Sequence, residues 1–176
     1  RNRAGRSLEE HRQIVAAMLG GDEAAAEAHM RDHVRIQGER FADLVATIGG
    51  AAVGAAMAGM RPIAEIMYVD FTPLAMDQIA NQGAKNRYMF GGKTIVPMVI
   101  RTEGGAGRSI AAHHSQSLEA LWTHFPGIYV VMPSTPYDAK GLLKAAIRSE
   151  NPVVFFENKL LYAATGPVPE GDYLIP

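Results

Sequence analysis

The sequence contains no cysteine, so disulfide bonds and thiolate metal sites are excluded. It also carries almost no net charge, because 17 Lys and Arg oppose 18 Asp and Glu. Such a balance offers no positive surface for nucleic acid or for an anionic membrane. The longest apolar run, residues 48–60, is too short to cross a bilayer. These absences predict a cytoplasmic protein that binds neither nucleic acid nor membrane.

Residues 1–45 have a helical pattern. The spacing of Ser7 and Glu10 predicts a capping box at the start of a first helix, and Gly20 and Gly21 predict its end. Asp22 is the predicted N-cap of a second helix. We therefore predict an α-helical hairpin whose apolar side chains need more cover than the hairpin itself supplies.

Residues 46–176 alternate between strand and helix patterns. Apolar runs predict strands at 63–69, 96–100, 128–132 and 153–156, and helices are predicted at 73–90, 115–123 and 136–148. This alternation predicts an α/β fold, a mostly parallel sheet with helices on both faces. Gly50, Gly54 and Ala58, four residues apart, predict a helix face for close packing. The change of pattern near residue 45 predicts a boundary between two domains.

A glycine-rich tract and a histidine pair are the first candidates for a functional loop. The tract, residues 104–108, lacks the Lys-Ser/Thr ending of a phosphate loop, which leaves an active-site loop and an ordinary loop both open. His113 and His114 precede a predicted helix, where capping and catalysis are both possible roles. No carboxylate nearby in the sequence completes a catalytic triad.

The other titratable residues favour ordinary roles. Glu65, Asp70 and Asp77 lie around the first predicted strand, and we expect them to be solvated or to cap helices. His29 and His33 are one helical turn apart, but the residues between them lack the Glu of a zinc-protease helix. The residues alone thus predict an α/β domain with a loop-borne histidine pair and no defined reaction.

Six stretches in residues 50–173 resemble, in order and spacing, one enzyme family. They are GAAVGAAMAGMRPIAEIMYVDF, AMDQIANQGAKNRYMFGGK, VPMVIRTEGGAGRS, HHSQSLEALWTHFPGIYVVMPSTPYDAKGLLKAAI, NPVVFFENKLLY and VPEGDYLIP. The chain resembles the transketolase-like, thiamine-pyrimidine-binding domain of the beta subunit of E1 components of pyruvate, other 2-oxo acid and acetoin dehydrogenases. These are oxidoreductases.

The resemblance implies a cofactor and partners. The family works as a heterotetramer of alpha subunits with a beta–beta dimer. It uses thiamine diphosphate shared between the two subunit types, and magnesium held by the alpha subunit. It decarboxylates a 2-oxo acid or cleaves acetoin and passes the acyl unit to a lipoyl-bearing E2 component.

The resemblance also implies site residues. Met67 and Phe71 match positions that pack on the aminopyrimidine ring of the cofactor, and His114 matches the active-site histidine of the family's HSQ motif. Some members hold potassium, chiefly through main-chain carbonyls; the matching positions here are Met98, Ala146, Ile147, Ser149 and Asn151.

One departure from the family concerns catalysis. A Glu five residues before the position of Gly50 bonds the pyrimidine nitrogen and activates the cofactor in that family, whereas Val45 stands there in this sequence. Valine neither accepts nor donates a proton. The sequence also has no match to the family's first strand or C-terminal domain. We therefore expect an incomplete pyrimidine domain that is inactive alone.

Residues 7–44 resemble a different family. The stretch EEHRQIVAAMLGGDEAAAEAHMRDHV is similar to the last two helices of the effector-binding FCD domain of GntR-type transcription regulators. His11 and His33 match two metal ligands of that domain, but its other ligands have no counterpart, so the implied metal site is incomplete. Three hypotheses follow: a fragment of an E1 beta subunit, a module that senses a metal or carboxylate effector, and a chimeric chain without activity.

Overall fold

The computed structural model describes residues 3–176, which divide after Leu44 into two units. In the first unit, α1 (Arg3–Leu19) is followed by the start of α2 (Glu23–Met57). Gly21, with φ of +70°, lies in the turn between them. Oδ1 of Asp22 accepts the N–H of Ala25 at 3.0 Å, as expected of an N-cap.

The capping box predicted at Ser7 and Glu10 is wrong. Ser7 lies inside α1, where its carbonyl accepts a hydrogen bond from Nδ1 of His11 at 2.6 Å. The carboxylate of Glu10 instead reaches His33, with 2.7 Å between Oε2 and Nδ1. The Ser-x-x-Glu spacing therefore occurs in a helix that has already begun, and the glutamate links α1 to α2.

The apolar stripes of the first unit are mostly uncovered. Ile14 is buried, but most of the large apolar side chains remain exposed: Leu8, Val15, Met18, Leu19, Met30, Val34 and Leu44. This is the shortage of cover that the sequence predicts for the hairpin.

The second unit begins within α2. The buried residues of α2 lie in this part of the helix: Val45, Gly49, Ala52, Val53 and Ala56. A Cβ at Gly49 would lie 3.0 Å from Cβ of Ala75, so the close approach occurs at Gly49. Gly54 and Ala58, two members of the face predicted for close packing, are exposed in this chain. By length and composition α2 could also cross a membrane, a test that core helices of soluble proteins also meet.

The second unit contains a four-stranded parallel sheet with the order β1-β2-β4-β3. The strands are β1 (Ile63–Tyr68), β2 (Val99–Gly104), β3 (Tyr129–Val131) and β4 (Val153–Asn158). The predicted α/β class and parallel sheet are confirmed. The second strand begins at Val99 rather than at residue 96; Pro97 interrupts the run and has no N–H to donate to a neighbouring strand.

Three helices accompany the sheet: α3 (Ala84–Met89), α4 (Glu119–Thr123) and α5 (Pro136–Arg148). The helix predicted over 73–90 is instead a 3₁₀ turn, a π-helical turn (Asp77–Gly83) and α3 in succession. The 3₁₀ turn, Val69–Ala75, contains Pro73, which lacks an N–H for α-helical bonding. The helix predicted over 115–123 forms only as α4.

Helix α5 has the predicted bounds, and its first turn explains why. Thr135 Oγ1 accepts the N–H of Asp138 at 3.1 Å, and Oδ2 of Asp138 accepts the N–H of Thr135 at 3.1 Å. Hydrogen bonds from Ser134 and Thr135 lower the pKa of the Asp138 carboxyl. Pro136 at the first helical position completes a strong local start signal.

Candidate functional site

The site lies at the carboxyl edge of the sheet, where parallel strands end side by side. Ile66 pairs with Thr102 and Tyr68 pairs with Glu103, so Met67 is an extra residue that forms a bulge in β1. Bulges re-aim side chains and are frequent next to functional sites. The side chain of Met67 is 63% exposed and offers a solvent-facing apolar surface beside the end of β1.

Three aromatic rings meet directly after this bulge. The ring of His114 packs edge-on against Tyr68, with 4.6 Å between centroids, and against Phe71 at 5.6 Å. Tyr68 and Phe71 are themselves 6.1 Å apart in a T-shaped arrangement. Tyr68 ends β1 and Phe71 lies in the following 3₁₀ turn, whereas His114 comes from the loop after β2. The structure thus joins two of the predicted site residues, Phe71 and His114.

The position of the His114 ring determines which of its nitrogens can accept a proton. Nδ1 lies 3.2 Å from the carbonyl oxygen of Ile110. Since a carbonyl oxygen only accepts hydrogen bonds, Nδ1 carries the hydrogen and Nε2 is the acceptor of the neutral ring. His114 is partly buried, whereas His113 is exposed. Of the adjacent pair, His114 is therefore the one built into the site.

A lysine that directly follows β4 completes the cluster. Nζ of Lys159 lies 4.4 Å from the centroid of the Tyr68 ring and donates to its hydroxyl at 2.9 Å. Lys159 also pairs with Glu103, and this carboxylate raises the pKa of the ammonium group. Tyr68 is thus held between a cation and the His114 imidazole, which fixes the orientation of its ring.

Sequence reasoning missed Tyr68 and Lys159, and it gave Asp70 only a generic role. These residues come together because β1, β2 and β4 lie side by side in the sheet. Asp70 and Gln116 are 46 positions apart in the sequence, and Tyr68 and Lys159 are 91 positions apart. One signal was present: polar or aromatic residues directly follow several predicted parallel strands, whose carboxyl ends share one edge.

The five positions matched to potassium ligands are close to one another and already engaged. Nη1 of Arg61 donates to the carbonyl oxygens of Ile147 and Ser149 at 3.1 and 2.9 Å. The carbonyls of Met98, Ala146 and Asn151 accept hydrogen bonds from other groups of the chain. Each oxygen that the resemblance assigns to a metal therefore has a hydrogen-bond donor in place.

His11 and His33 of the first unit also lie together, with ring centroids 4.4 Å apart. The His33–Glu10 hydrogen bond lowers the pKa of the Glu10 carboxyl. Nδ1 of His11 is bound to the carbonyl of Ser7. No group of three or more His, Asp or Glu residues suited to a metal occurs within residues 3–176. The described structure therefore contains the predicted histidine pair without further ligands.

The chain matches two domain families. One, described as "Transketolase, pyrimidine binding domain", matches residues 44–165, and the FCD domain matches residues 1–36. A structure described as a split-gene transketolase, an inactive beta4 tetramer, shares the fold with a TM-score of 0.57 and 20% identity. That similarity covers 74% of this chain and 39% of the other.

Curated relatives share much more sequence. The chain is 61% identical over 127 residues to the beta subunit of acetoin:2,6-dichlorophenolindophenol oxidoreductase from Cupriavidus necator, covering 72% of this chain and 38% of the relative. It is 54% identical over 127 residues to the pyruvate dehydrogenase E1 beta subunit of Porphyra purpurea, with coverage of 72% and 38%. It is 52% identical over 130 residues to the 2-oxoisovalerate dehydrogenase beta subunit of Bacillus subtilis, with coverage of 73% and 40%.

These matches, the parallel sheet and the aromatic cluster at its carboxyl edge concern the same part of the molecule. The chain spans about two fifths of the length of these relatives, 38 to 40%. From residue 44 to residue 165, the chain belongs to the transketolase pyrimidine-binding domain family.

Proposed function

We propose that residues 45–176 are the pyrimidine-binding part of a beta subunit from a thiamine diphosphate-dependent E1 enzyme that acts on acetoin or a 2-oxo acid. The contact of Phe71 and Tyr68 with His114 is the observation that carries this proposal. It brings an apolar, aromatic surface and a proton-accepting nitrogen to one edge of the sheet. A flat heterocycle packs well on such a surface.

The residues of the site fit the aminopyrimidine ring of the cofactor, but they lack the carboxyl group that would activate the cofactor. When bound, thiamine diphosphate supplies the carbon nucleophile for cleavage beside a carbonyl group. Met67 and Phe71 would contact the aminopyrimidine ring, and Nε2 of His114 would accept a hydrogen bond from the reacting molecule. Val45, where the resemblance calls for a carboxyl group, is only 4% exposed and has no proton to exchange. At this position the chain therefore has no group that could transfer a proton to or from the cofactor.

The proposal includes partners. The diphosphate and magnesium would be held by an alpha subunit, with a second beta subunit and a lipoyl-bearing E2 component completing the assembly. The sequence identity with three beta subunits supports the proposal that an alpha subunit is a partner. Those relatives act on different substrates by their names, so acetoin and 2-oxo acids remain the proposed class.

The proposed ring contact is tested by titrating the chain with thiamine and following its NMR spectrum. We expect weak binding that shifts the signals of Tyr68, Phe71 and His114. Phe71→Leu should weaken binding by about 2- to 10-fold, because an aromatic contact contributes about 0.5–1.5 kcal/mol beyond buried area. Tyr88→Leu is the matched control, since Tyr88 is an exposed aromatic residue of α3. Equal weakening in both variants, or shifts confined to other residues, would contradict the proposal.

We further infer that the Arg61 guanidinium competes with potassium for the carbonyl oxygens of Ile147 and Ser149. The Arg61 guanidinium already places a positive charge on the carbonyls of Ile147 and Ser149. Thermal unfolding in potassium chloride and in sodium chloride of equal ionic strength should therefore give the same midpoint. In Arg61→Ala, potassium should raise the midpoint by a few degrees over sodium, as a ligand of the folded state does.

Arg148→Ala is the control for this experiment, because Arg148 belongs to the same region but pairs with Asp172. It should leave the potassium and sodium midpoints equal. If the unaltered chain unfolds at a higher temperature in potassium chloride than in sodium chloride, potassium binds despite Arg61.

A further inference from the structure

The loop that carries His114 is fixed at one residue, Gln116. Oδ1 of Asp70 accepts the N–H of Gln116 at 3.3 Å. The carbonyl oxygen of Gln116 accepts the N–H of Gly105 at 3.0 Å. Both backbone groups of a residue two positions after His114 are thus bound to the segments that follow β1 and β2.

The rest of this loop has a conformation that needs such support. Ser109 and Ala111 have φ values of +54° and +68°, which residues with a side chain adopt at a cost. His114 lies three residues after Ala111, and the N–H of His114 bonds the carbonyl of Ala111 at 3.3 Å. A loop of this kind keeps its shape only while bonds at its ends outweigh that cost.

Asp70 is placed to connect the two halves of the aromatic cluster. It lies between Val69, which is fully buried, and Phe71, whose ring contacts His114. Its second oxygen, Oδ2, is buried and has no hydrogen-bond partner within the described residues. Burying a carboxylate oxygen without a partner is costly. The burial of this carboxylate is thus costly, and its hydrogen bond from the N–H of Gln116 holds the loop of His114.

We propose that Asp70 is a positioning residue, which holds the His114 ring against Tyr68 and Phe71 through the backbone of Gln116. This inference rests on the proposed function, in which His114 and Phe71 form the pyrimidine site. In this role Asp70 acts through the backbone of the loop rather than on cofactor or substrate. It sets where the acceptor nitrogen of His114 stands relative to the aromatic surface.

The test uses NMR on the unliganded chain and compares Asp70→Ala with Asp70→Asn. Packing against two aromatic rings should shift the carbon-bound ring protons of His114, and Asp70→Ala should abolish most of that shift. The Gln116 amide should exchange with solvent about tenfold faster or more, as expected for loss of a bond to a charged acceptor. Asp70→Asn keeps an acceptor oxygen and should restore both signals largely to those of the unaltered chain.

Asp77→Ala is the control, because Asp77 is exposed and its carboxylate accepts a hydrogen bond from Asn81, a neighbour on its own turn. It should change neither signal. Amides of β2 report whether the fold persists in each variant. If Asp70→Ala does not fold, Asp70→Ser replaces it, since serine keeps a hydroxyl but is too short to reach Gln116.

Two results would overturn the proposal. One is an unchanged His114 ring shift and Gln116 exchange rate in Asp70→Ala or Asp70→Ser. The other is equal loosening in Asp70→Asn and Asp70→Ala. Neither measurement uses thiamine, so a failure here is distinct from a failure of the thiamine titration, which tests the proposed function itself.

Discussion

Val45→Glu should accelerate hydrogen–deuterium exchange at C2 of the thiazolium ring of thiamine diphosphate, measured with magnesium and an alpha subunit of an acetoin-type E1 enzyme. We expect exchange about 10²- to 10⁴-fold faster than with the unaltered chain, the usual contribution of a positioned acid or base. The reason is that Val45 occupies the matched position of the family's glutamate and has no proton to transfer. The unaltered chain should exchange no faster than the free cofactor.

Val45→Gln separates proton transfer from hydrogen bonding. Glutamine has nearly the shape of glutamate but does not release a proton at neutral pH. It should therefore leave exchange slow. Fast exchange with the unaltered chain, or equal acceleration by Gln and Glu, would show that the proton relay does not pass through this position.

The same substitution should make stability depend on pH. Val45 is buried, so a glutamate there has its folded-state pKa raised by desolvation above its unfolded value of about 4.3. Its uncharged form is the one tolerated in the fold. Stability of Val45→Glu should therefore be greatest below the unfolded pKa and fall as pH rises through the folded pKa. Val45→Gln should show no such added slope.

Gly127→Ala should destabilise the second unit by about 2–5 kcal/mol, combining overpacking with a left-handed backbone. A Cβ at Gly127 would lie 2.3 Å from the carbonyl oxygen of Ala84, which is main chain and has no rotamer to change. The φ of Gly127 is +93°, a region that side chains disfavour. Urea unfolding followed by fluorescence measures this loss, because Trp122 is the single tryptophan and is fully buried in the second unit.

Gly92→Ala isolates the backbone contribution. Gly92 has a φ of +81°, but no heavy atom lies within 4 Å of its would-be Cβ. It should cost only about 1–2 kcal/mol, the strain of the left-handed conformation alone. If Gly92→Ala and Gly127→Ala lose the same stability, the contact between Gly127 and Ala84 is not the cause.

The sequence predicts an element well when the residues that fix its bounds are close together in the chain. Helix α5 was predicted with its bounds because Thr135, Pro136 and Asp138 form a complete start signal within four residues. The apolar run at 153–156 predicts a strand, which the structure extends to Asn158, because a continuous apolar run buried on both faces is distinctive. The succession of turns in residues 73–90 was not predicted. The 3₁₀, π and α turns there have the same apolar pattern, and proline and tertiary packing select among them.

The candidate site depended on information that local patterns lack. Phe71 entered only through family resemblance, whereas the residues alone indicated the pair His113 and His114, with capping and catalysis both open, and the resemblance selected His114. Met67 lies on the exposed side of β1 with Ile63 and Glu65, and only the register between β1 and β2 shows the irregularity beside it. Lys159 reaches Tyr68 across 91 positions of sequence, and only the strand order brings them together.

That strand order also governs the sequence of assembly on the ribosome. β2 can pair with β1 as soon as residue 104 has emerged, but its other edge waits for β4. β3 emerges earlier than β4 and has β4 as its sheet neighbour, so it stays unpaired until residues 153–158 have emerged. An unpaired apolar edge is a template for association with other chains. A nascent chain in which β3 has emerged and β4 has not would therefore expose unpaired strand edges to other chains.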